Sequence, residues 1–455
     1  MDWQQEAERR KEELLSELQE LIAIPSVLSE DGNPDAPYGK EVRQALDWFL
    51  KKGDRAGFKA KNIANVAGHL EIGEGPELLG ILGHVDVVPA GDGWTKDPFG
   101  GEIADGKLFG RGAIDDKGPT IAAWMALKMV KDAGYDFKRR VRLIIGTDEE
   151  SGFRCVERYF QTEEMPDIGF APDADFPIIN AEKGIADIKY TLDSAKTGEL
   201  LEFTSGERTN MVPDRAVATV ALESGEIDAA FREFCETEKV ACDCTPSTDG
   251  VVLTVYGKSA HAMEPDAGIN AGVLLAKFLQ DKVAGNGGEF VRFIADYFSG
   301  DSRGHKLGLA FSDEASGDTT FNAGIMRFKA GERADVRVSM RYSVSCPFDD
   351  MMAVHLIDGV EVEIVSNSKP HHVDATDPFI QTLQKAYEKQ TGESADLLAI
   401  GGGTYARVLD KGVAFGMLFP GEPDVAHQAD EFVDIDNLVK ATAIYAEAIY
   451  QLACK

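Results

Sequence analysis

Eight side chains in this 455-residue chain could do chemistry together: His84, Asp86, Asp115, Asp116, Glu149, Glu150, Asp173 and His427. Imidazoles and carboxylates without thiolates suit zinc, or manganese and cobalt, in an open catalytic site. Two such ions, about 3.5–4 Å apart and bridged by a carboxylate, would hold a nucleophilic hydroxide and polarise a carbonyl. The charge balance asks for two. Carboxylates crowded into one small site repel each other strongly, and two divalent cations offset that repulsion. A lone Asp at a strand end is ordinarily a helix cap or turn former. The set matters because several elements end in the same way, one after another.

Those elements read as a βαβ series. Residues 78–82, Leu-Leu-Gly-Ile-Leu, form a short aliphatic run of the kind that makes a buried strand, and His84 and Asp86 follow directly. Alternate strand positions point the same way, and an imidazole held by a carboxylate is how proteins present histidine to a metal. Asp105-Gly106 between apolar residues marks a hairpin that returns the chain to Asp115-Asp116-Lys-Gly-Pro119. Pro119 suits the first turn of a helix running to Val130. Residues 141–147 predict a second buried strand, ending in Asp148-Glu149-Glu150, and a third around Phe170 ends at Asp173. Strands alternating with helices imply a largely parallel sheet, whose ligands sit at the carboxyl ends of its strands. Before this series, residues 2–24 and 39–50 predict amphipathic helices, the first stopped by Pro25.

The pattern changes near Glu182-Lys-Gly184. Strands are predicted over 185–192 and 216–222, then a helix over 227–240 and a strand over 251–256. A helix over 268–279 leads into loose glycine-rich stretches at 284–288 and 299–308. Strands at 320–328 and 334–342, a helix at 348–356 and a strand at 360–365 then repeat the order of elements without repeating the sequence. This predicts an inserted α/β domain of two halves over 182–374, between catalytic parts at 1–181 and 375–455. His371-His372 falls where the insertion returns, which predicts a hinge, and His69, His305 and His355 read as surface or core residues. The closing part holds a helix over 378–391, a glycine-rich turn around Gly402 and Gly403, a strand over 413–419 and a helix over 435–452. The turn lacks the GK[ST] ending of a phosphate loop.

Composition bounds the partners. The formal charge of −31 argues against nucleic acid and against an anionic membrane surface. No run approaches the roughly 20 apolar residues of a membrane span. The start, Met-Asp-Trp-Gln-Gln-Glu, has neither a basic region nor an apolar core, so no secretion signal is expected. Six scattered cysteines, with Cys242 and Cys244 lacking a second pair at zinc-site spacing, predict reduced thiols and a cytoplasmic protein.

Gly-His84-Val-Asp86-Val-Val-Pro, Gly-Arg-Gly-Ala-Ile-Asp115-Asp-Lys-Gly, Asp-Glu149-Glu150-Ser-Gly and the late His427 resemble the metallopeptidase family of aminoacylase, carboxypeptidase G and carnosinase. Asp-Asp-Lys-Gly-Pro, Pro-Asp173-Ala-Asp-Phe-Pro, Asn210-Met-Val-Pro and Gly-Gly-Gly-Thr-Tyr-Ala-Arg look like its bacterial dipeptidase V branch in particular. The resemblance implies an α/β fold: a two-zinc exopeptidase domain and an inserted lid domain of two ferredoxin-like halves. It implies that His84 and Asp173 hold one ion, Glu150 and His427 the other, with Asp115 bridging. Asp86 would orient His84, and Glu149 would be the general base of a metal-bridged hydroxide. Family members carry a cis peptide at the bridging Asp. In the insertion, His261 would stabilise the oxyanion, Arg341 would pair with a substrate carboxylate, and Asn210, Gly402 and Gly403 would make further substrate contacts. Arg111 and Trp94 read as structural. The expected activity is hydrolysis of unblocked dipeptides. The alternative is deacylation of N-acyl amino acids of the acetylornithine or succinyl-diaminopimelate type. The long two-halved insertion predicts a monomer, because one chain could supply His261 to itself.

Overall fold

The computed structural model describes residues 1–30, 33–195 and 197–455, apart from the side chains of Ser224 and Glu226. It falls into two units: Met1–Asn180 with His372–Leu398 and Gly403–Lys455, and Ala181–His371 with Ala399–Gly402.

The first unit is built on a mixed sheet. Its four central strands, Arg140–Gly146, Leu78–His84, Ile168–Ala171 and Gly412–Ala414, run parallel, and antiparallel strands extend it on both sides. All seven residues of Leu78–His84 are buried. A strand covered on both faces needs the continuous aliphatic run seen here rather than alternation. The helix Lys117–Asp132 packs on that strand, and Gly83 makes this possible. A Cβ there would lie 2.1 Å from Thr120 Oγ1 and 3.0 Å from Asp116 Oδ2, so only glycine lets the start of the helix settle on the end of the strand. Trp124, Phe170 and Tyr445 anchor the surrounding core. The predicted helix over 2–24 is two helices, Trp3–Arg9 and Lys11–Ile22, parted at Arg10. The predicted strand over 413–419 is only the three residues Gly412–Ala414.

The second unit is one eight-stranded antiparallel sheet. On one face Phe203, Ala218, Leu253, Phe328, Val338 and Ile188 join a single core with Phe231, Leu275 and Phe290 of the helices. Its two halves do follow a strand, strand, helix, strand order; the second has the predicted members, while the first opens and closes on strands other than those predicted at 185–192 and 251–256. One half is Leu200–Ser205, Arg215–Val220, Ser224–Glu238 and Ala241–Ser247; the other is Thr320–Lys329, Arg333–Tyr342, Phe348–Val354 and Glu361–Ser368. The strands Leu200–Ser205 and Thr320–Lys329 pair with each other, so the halves join into one sheet. The glycine-rich stretch at 284–288 is not loose. It opens the helix Gly285–Phe298, where a side chain at Gly287 would lie 2.5 Å from Leu200 Cβ. His355 and His69 are buried. Among the described residues no helix is long and apolar enough to cross a membrane.

Candidate metal centre

The ends of three parallel strands place the chemistry of the first unit. His84 closes Leu78–His84, Glu149 and Glu150 follow Arg140–Gly146, and Asp173 follows Ile168–Ala171. Asp115 sits just before the helix Lys117–Asp132, across a cis Asp115–Asp116 peptide bond. His427, at a positive φ of 63°, comes from the loop before the strand Phe432–Asp434.

These side chains form two adjoining groups. In one, ligand atoms of His84, Glu149 and Asp173 lie within 4.8 Å of one another; in the other, those of Asp115, Glu150 and His427 do. Asp115 reaches both. Its Oδ1 is 3.2 Å from His84 Nε2 and its Oδ2 is 2.9 Å from His427 Nε2. Asp173 Oδ2 is 3.4 Å from His84 Nε2, and Glu150 Oε2 is 3.0 Å from His427 Nε2. Glu149, expected only as a base, stands at ligand distance in the first group.

The surroundings of His84 explain its orientation. The imidazole is fully buried, and Nδ1 meets the backbone carbonyl of Asp86 at 3.0 Å and the Asp86 carboxylate at 3.4 Å. The carbonyl accepts a hydrogen bond from Nδ1–H, so the proton stays on Nδ1 and Nε2 is left free to coordinate. The other Asp86 oxygen accepts from the Glu150 N–H at 3.2 Å, so one carboxylate serves both groups. Asp116 was passed over as a ligand, and it acts from behind: its Oδ2 accepts from the His84 N–H (2.9 Å) and from Thr120 Oγ1 (2.7 Å). Tyr405 packs edge-on against the His84 ring and bonds Cys155 Sγ through its hydroxyl. Tyr405 lies in the Gly-Gly-Gly-Thr-Tyr-Ala-Arg motif, but nothing local pairs it with His84 or Cys155, which lie far away along the chain.

The electrostatics are those of a site crowded with acids. Burial drives Glu149 well above the usual carboxylate range, and it raises Asp173 and Glu150 as well. Burial also opposes ionisation of Asp115, but the facing imidazoles of His427 and His84 outweigh it and hold Asp115 low. Asp115 and Glu150 raise His427 to about 10.

The donor set fits divalent cations. His84 Nε2 is buried, faces two carboxylates and has no hydrogen-bond partner. Each group offers one imidazole nitrogen and carboxylate oxygens, without sulfur, which is the ligand chemistry of catalytic zinc, manganese or cobalt.

The remaining predicted residues belong mostly to the second unit. The bridge between Met211 and His261 brings the Asn210 loop against the His261 loop, and the Ala262 N–H donates to the Asn210 carbonyl at 2.8 Å. Asn322, buried and not singled out by sequence, donates to the carbonyls of Thr209 and Met211 and so fixes that loop. Burial, then the nearby Arg341 charge, lowers the pKa of His261 and keeps it neutral. The Met263 N–H donates to His261 Nδ1 at 3.2 Å, so the ring proton sits on Nε2. Buried Arg341 donates to the Gly401 carbonyl at 3.0 Å. Gly402 belongs to this unit and Gly403 to the first.

Comparison with known proteins agrees with this arrangement. Residues 80–451 match the model of Peptidase family M20/M25/M40. The chain is 49% identical to "Putative dipeptidase YtjP" of Bacillus subtilis (strain 168), covering 100% of both chains. It is 42% identical to a protein of Staphylococcus aureus (strain USA300) that is also named a putative dipeptidase, covering 99% of each. Human carnosine dipeptidase 1 shares the fold with a TM-score of 0.55 at 16% identity, over 98% of this chain and 97% of that one. Aminoacylhistidine dipeptidase from Vibrio alginolyticus does so with a TM-score of 0.57 at 13% identity, over 97% and 96%. On the match over residues 80–451 and the full-length relatives, the chain is a member of peptidase family M20/M25/M40.

Proposed function

We propose that this metallopeptidase is a dinuclear zinc dipeptidase of the dipeptidase V type that hydrolyses unblocked dipeptides, with manganese or cobalt as alternative ions. One observation carries the reading: two imidazole–carboxylate groups adjoin through Asp115, with the half-buried Glu149 in one of them. Full-length similarity to proteins named dipeptidases supports the substrate class.

His84 and Asp173 would hold one ion, Glu150 and His427 the other, and Asp115 would bridge. Bound ions would polarise the scissile carbonyl and acidify a water molecule. Glu149 takes the proton from that water and hands it to the leaving amine, and its burial suits a carboxyl that must be protonated midway. His261 donates from Nε2 to the oxygen that becomes negative, a role its neutral state and Nδ1 bond prepare. Arg341 holds the free carboxylate of the dipeptide as a planar fork, and Asn210, Gly402 and Gly403 line the substrate. The second unit, Ala181–His371 with Ala399–Gly402, acts as the inserted lid expected over 182–374 between catalytic parts at 1–181 and 375–455. Its two halves in one chain favour a monomer. The six free cysteines suit a cytoplasmic enzyme.

The test is a panel of dipeptides, longer peptides, N-acetyl amino acids and N-succinyl amino acids, assayed with added zinc or manganese. Preference for unblocked dipeptides is expected. Turnover of the N-acyl compounds in their place would assign the deacylase activity, and equal cleavage of long peptides would exclude a dipeptidase.

A further inference from the structure

The mechanism above leaves one buried ion pair without a role. Arg111 and Glu431 are 1% and 0% exposed, and they lie 320 residues apart in the chain. Arg111 Nη1 donates to Glu431 Oε2, and Arg111 Nη2 reaches the Ala90 carbonyl at 3.2 Å on the loop that follows His84 and Asp86. The other Glu431 oxygen, Oε1, accepts the N–H groups of Gly112 and Ile114 at 3.0 Å each and of Asp115 at 3.3 Å. The Glu431 carbonyl accepts the Gly110 N–H at 2.9 Å, and Phe432 pairs with Phe109 in the ladder beyond. Asp430 binds the N–H of Thr95 at 2.8 Å. The chain segment that ends four residues after His427 is therefore fastened to the loops of His84 and Asp115.

A buried ion pair is a costly way to gain stability, since desolvation offsets most of the attraction. A carboxylate that gathers three N–H groups of one loop and a guanidinium that reaches another fix the relative positions of those loops. Partners behind the ligands commonly set metal affinity in this way. We propose that the Arg111–Glu431 pair is a positioning element that couples the loops carrying His84, Asp115 and His427, so that metal binding by Asp115, Glu150 and His427 depends on it. This rests on the metallopeptidase reading, in which those residues are ligands.

The test titrates zinc into metal-stripped protein by calorimetry and records thermal unfolding of the same metal-free samples. The variants are Glu431→Gln and the double variant Arg111→Met, Glu431→Gln. Glu431→Gln should lower both the unfolding temperature and the affinity of one of two zinc sites, the latter by about 10- to 100-fold. The double variant removes the uncompensated charge, so its stability should recover while its affinity stays low. Should Glu431→Gln fail to fold, the double variant alone decides. Recovery of wild-type zinc affinity together with stability would reduce the pair to a structural element and overturn the proposal. Wild-type protein that takes up neither zinc, manganese nor cobalt would refute the reading of these residues as metal ligands, a result separate from any difference between variants.

Discussion

Removing the Asp86 carboxylate should separate its two duties. Its Oδ1 lies 3.4 Å from His84 Nδ1, but the backbone carbonyl of the same residue, at 3.0 Å, already holds that nitrogen. The tautomer and ring plane of His84 therefore survive loss of the carboxylate. What is lost is the negative charge behind the imidazole, and the acceptor for the Glu150 N–H at 3.2 Å. Substitutions of partners behind metal ligands cost about 10- to 100-fold in affinity or activity. With its carbonyl retained, Asp86→Asn belongs at the low end, about 10-fold or roughly 1.4 kcal/mol. An amide oxygen can still accept from Glu150. Asp86→Ala leaves that N–H without a partner as well, which at the lower end of such losses adds about 1 kcal/mol and moves the effect toward 100-fold. Calorimetric titration of metal-stripped protein gives the affinities, and kcat/KM at saturating metal shows what remains once the ions are in place. Circular dichroism should report an intact fold in both variants. Equal loss in Asn and Ala would refute the division of duties, and wild-type affinity in Ala would refute the role of Asp86 altogether.

Three further outcomes are expected. Glu149→Gln should keep its metal, measured by elemental analysis after dialysis, and lose about 100-fold or more in kcat, as removal of a general base does. His261→Ala should lower kcat by about 10²- to 10³-fold on a good dipeptide, the usual cost of an oxyanion donor, and should leave metal content unchanged. His69 makes stability pH-dependent. Burial, then the charges of Arg142 and Lys61, hold its folded-state pKa down at about 3, while in the unfolded chain it titrates near 6.5. The unfolded state thus gains a proton that the folded state refuses, and stability falls as pH drops from about 6.5 toward 3. Relative to His69→Gln, the wild type should lose about 2 kcal/mol between pH 6.5 and pH 5 in urea titrations; parallel pH profiles would contradict the assignment.

Much of the site could be read from the chain because strand ends announce themselves. The aliphatic run of Leu78–His84 terminates in the candidate ligand His84, and acids follow Arg140–Gly146 and Ile168–Ala171. Elements escaped where the local signal contradicted the tertiary role. Ala241–Ser247 is a strand whose apolar alternation is only Cys242 and Cys244, with Pro246 inside it, a residue tolerated because this strand lies at the edge of the sheet. Gly285–Phe298 begins with three glycines in four residues, which lowers helix propensity, yet Gly287 is what lets the helix meet Leu200. Arg10 parts two helices without a glycine or proline to mark the break. Glu431 was invisible for another reason: its partners Gly112 and Ile114 are 319 and 317 residues away, and nothing local distinguishes a buried carboxylate from an exposed one.

The account stands on two ions sharing Asp115. Anomalous diffraction at the zinc edge, from crystals grown with zinc, tests this directly. Two peaks about 3.5–4 Å apart on either side of the Asp115 carboxylate are predicted, one against His84 and Asp173 and the other against Glu150 and His427. A single peak, or two peaks without Asp115 between them, would contradict it.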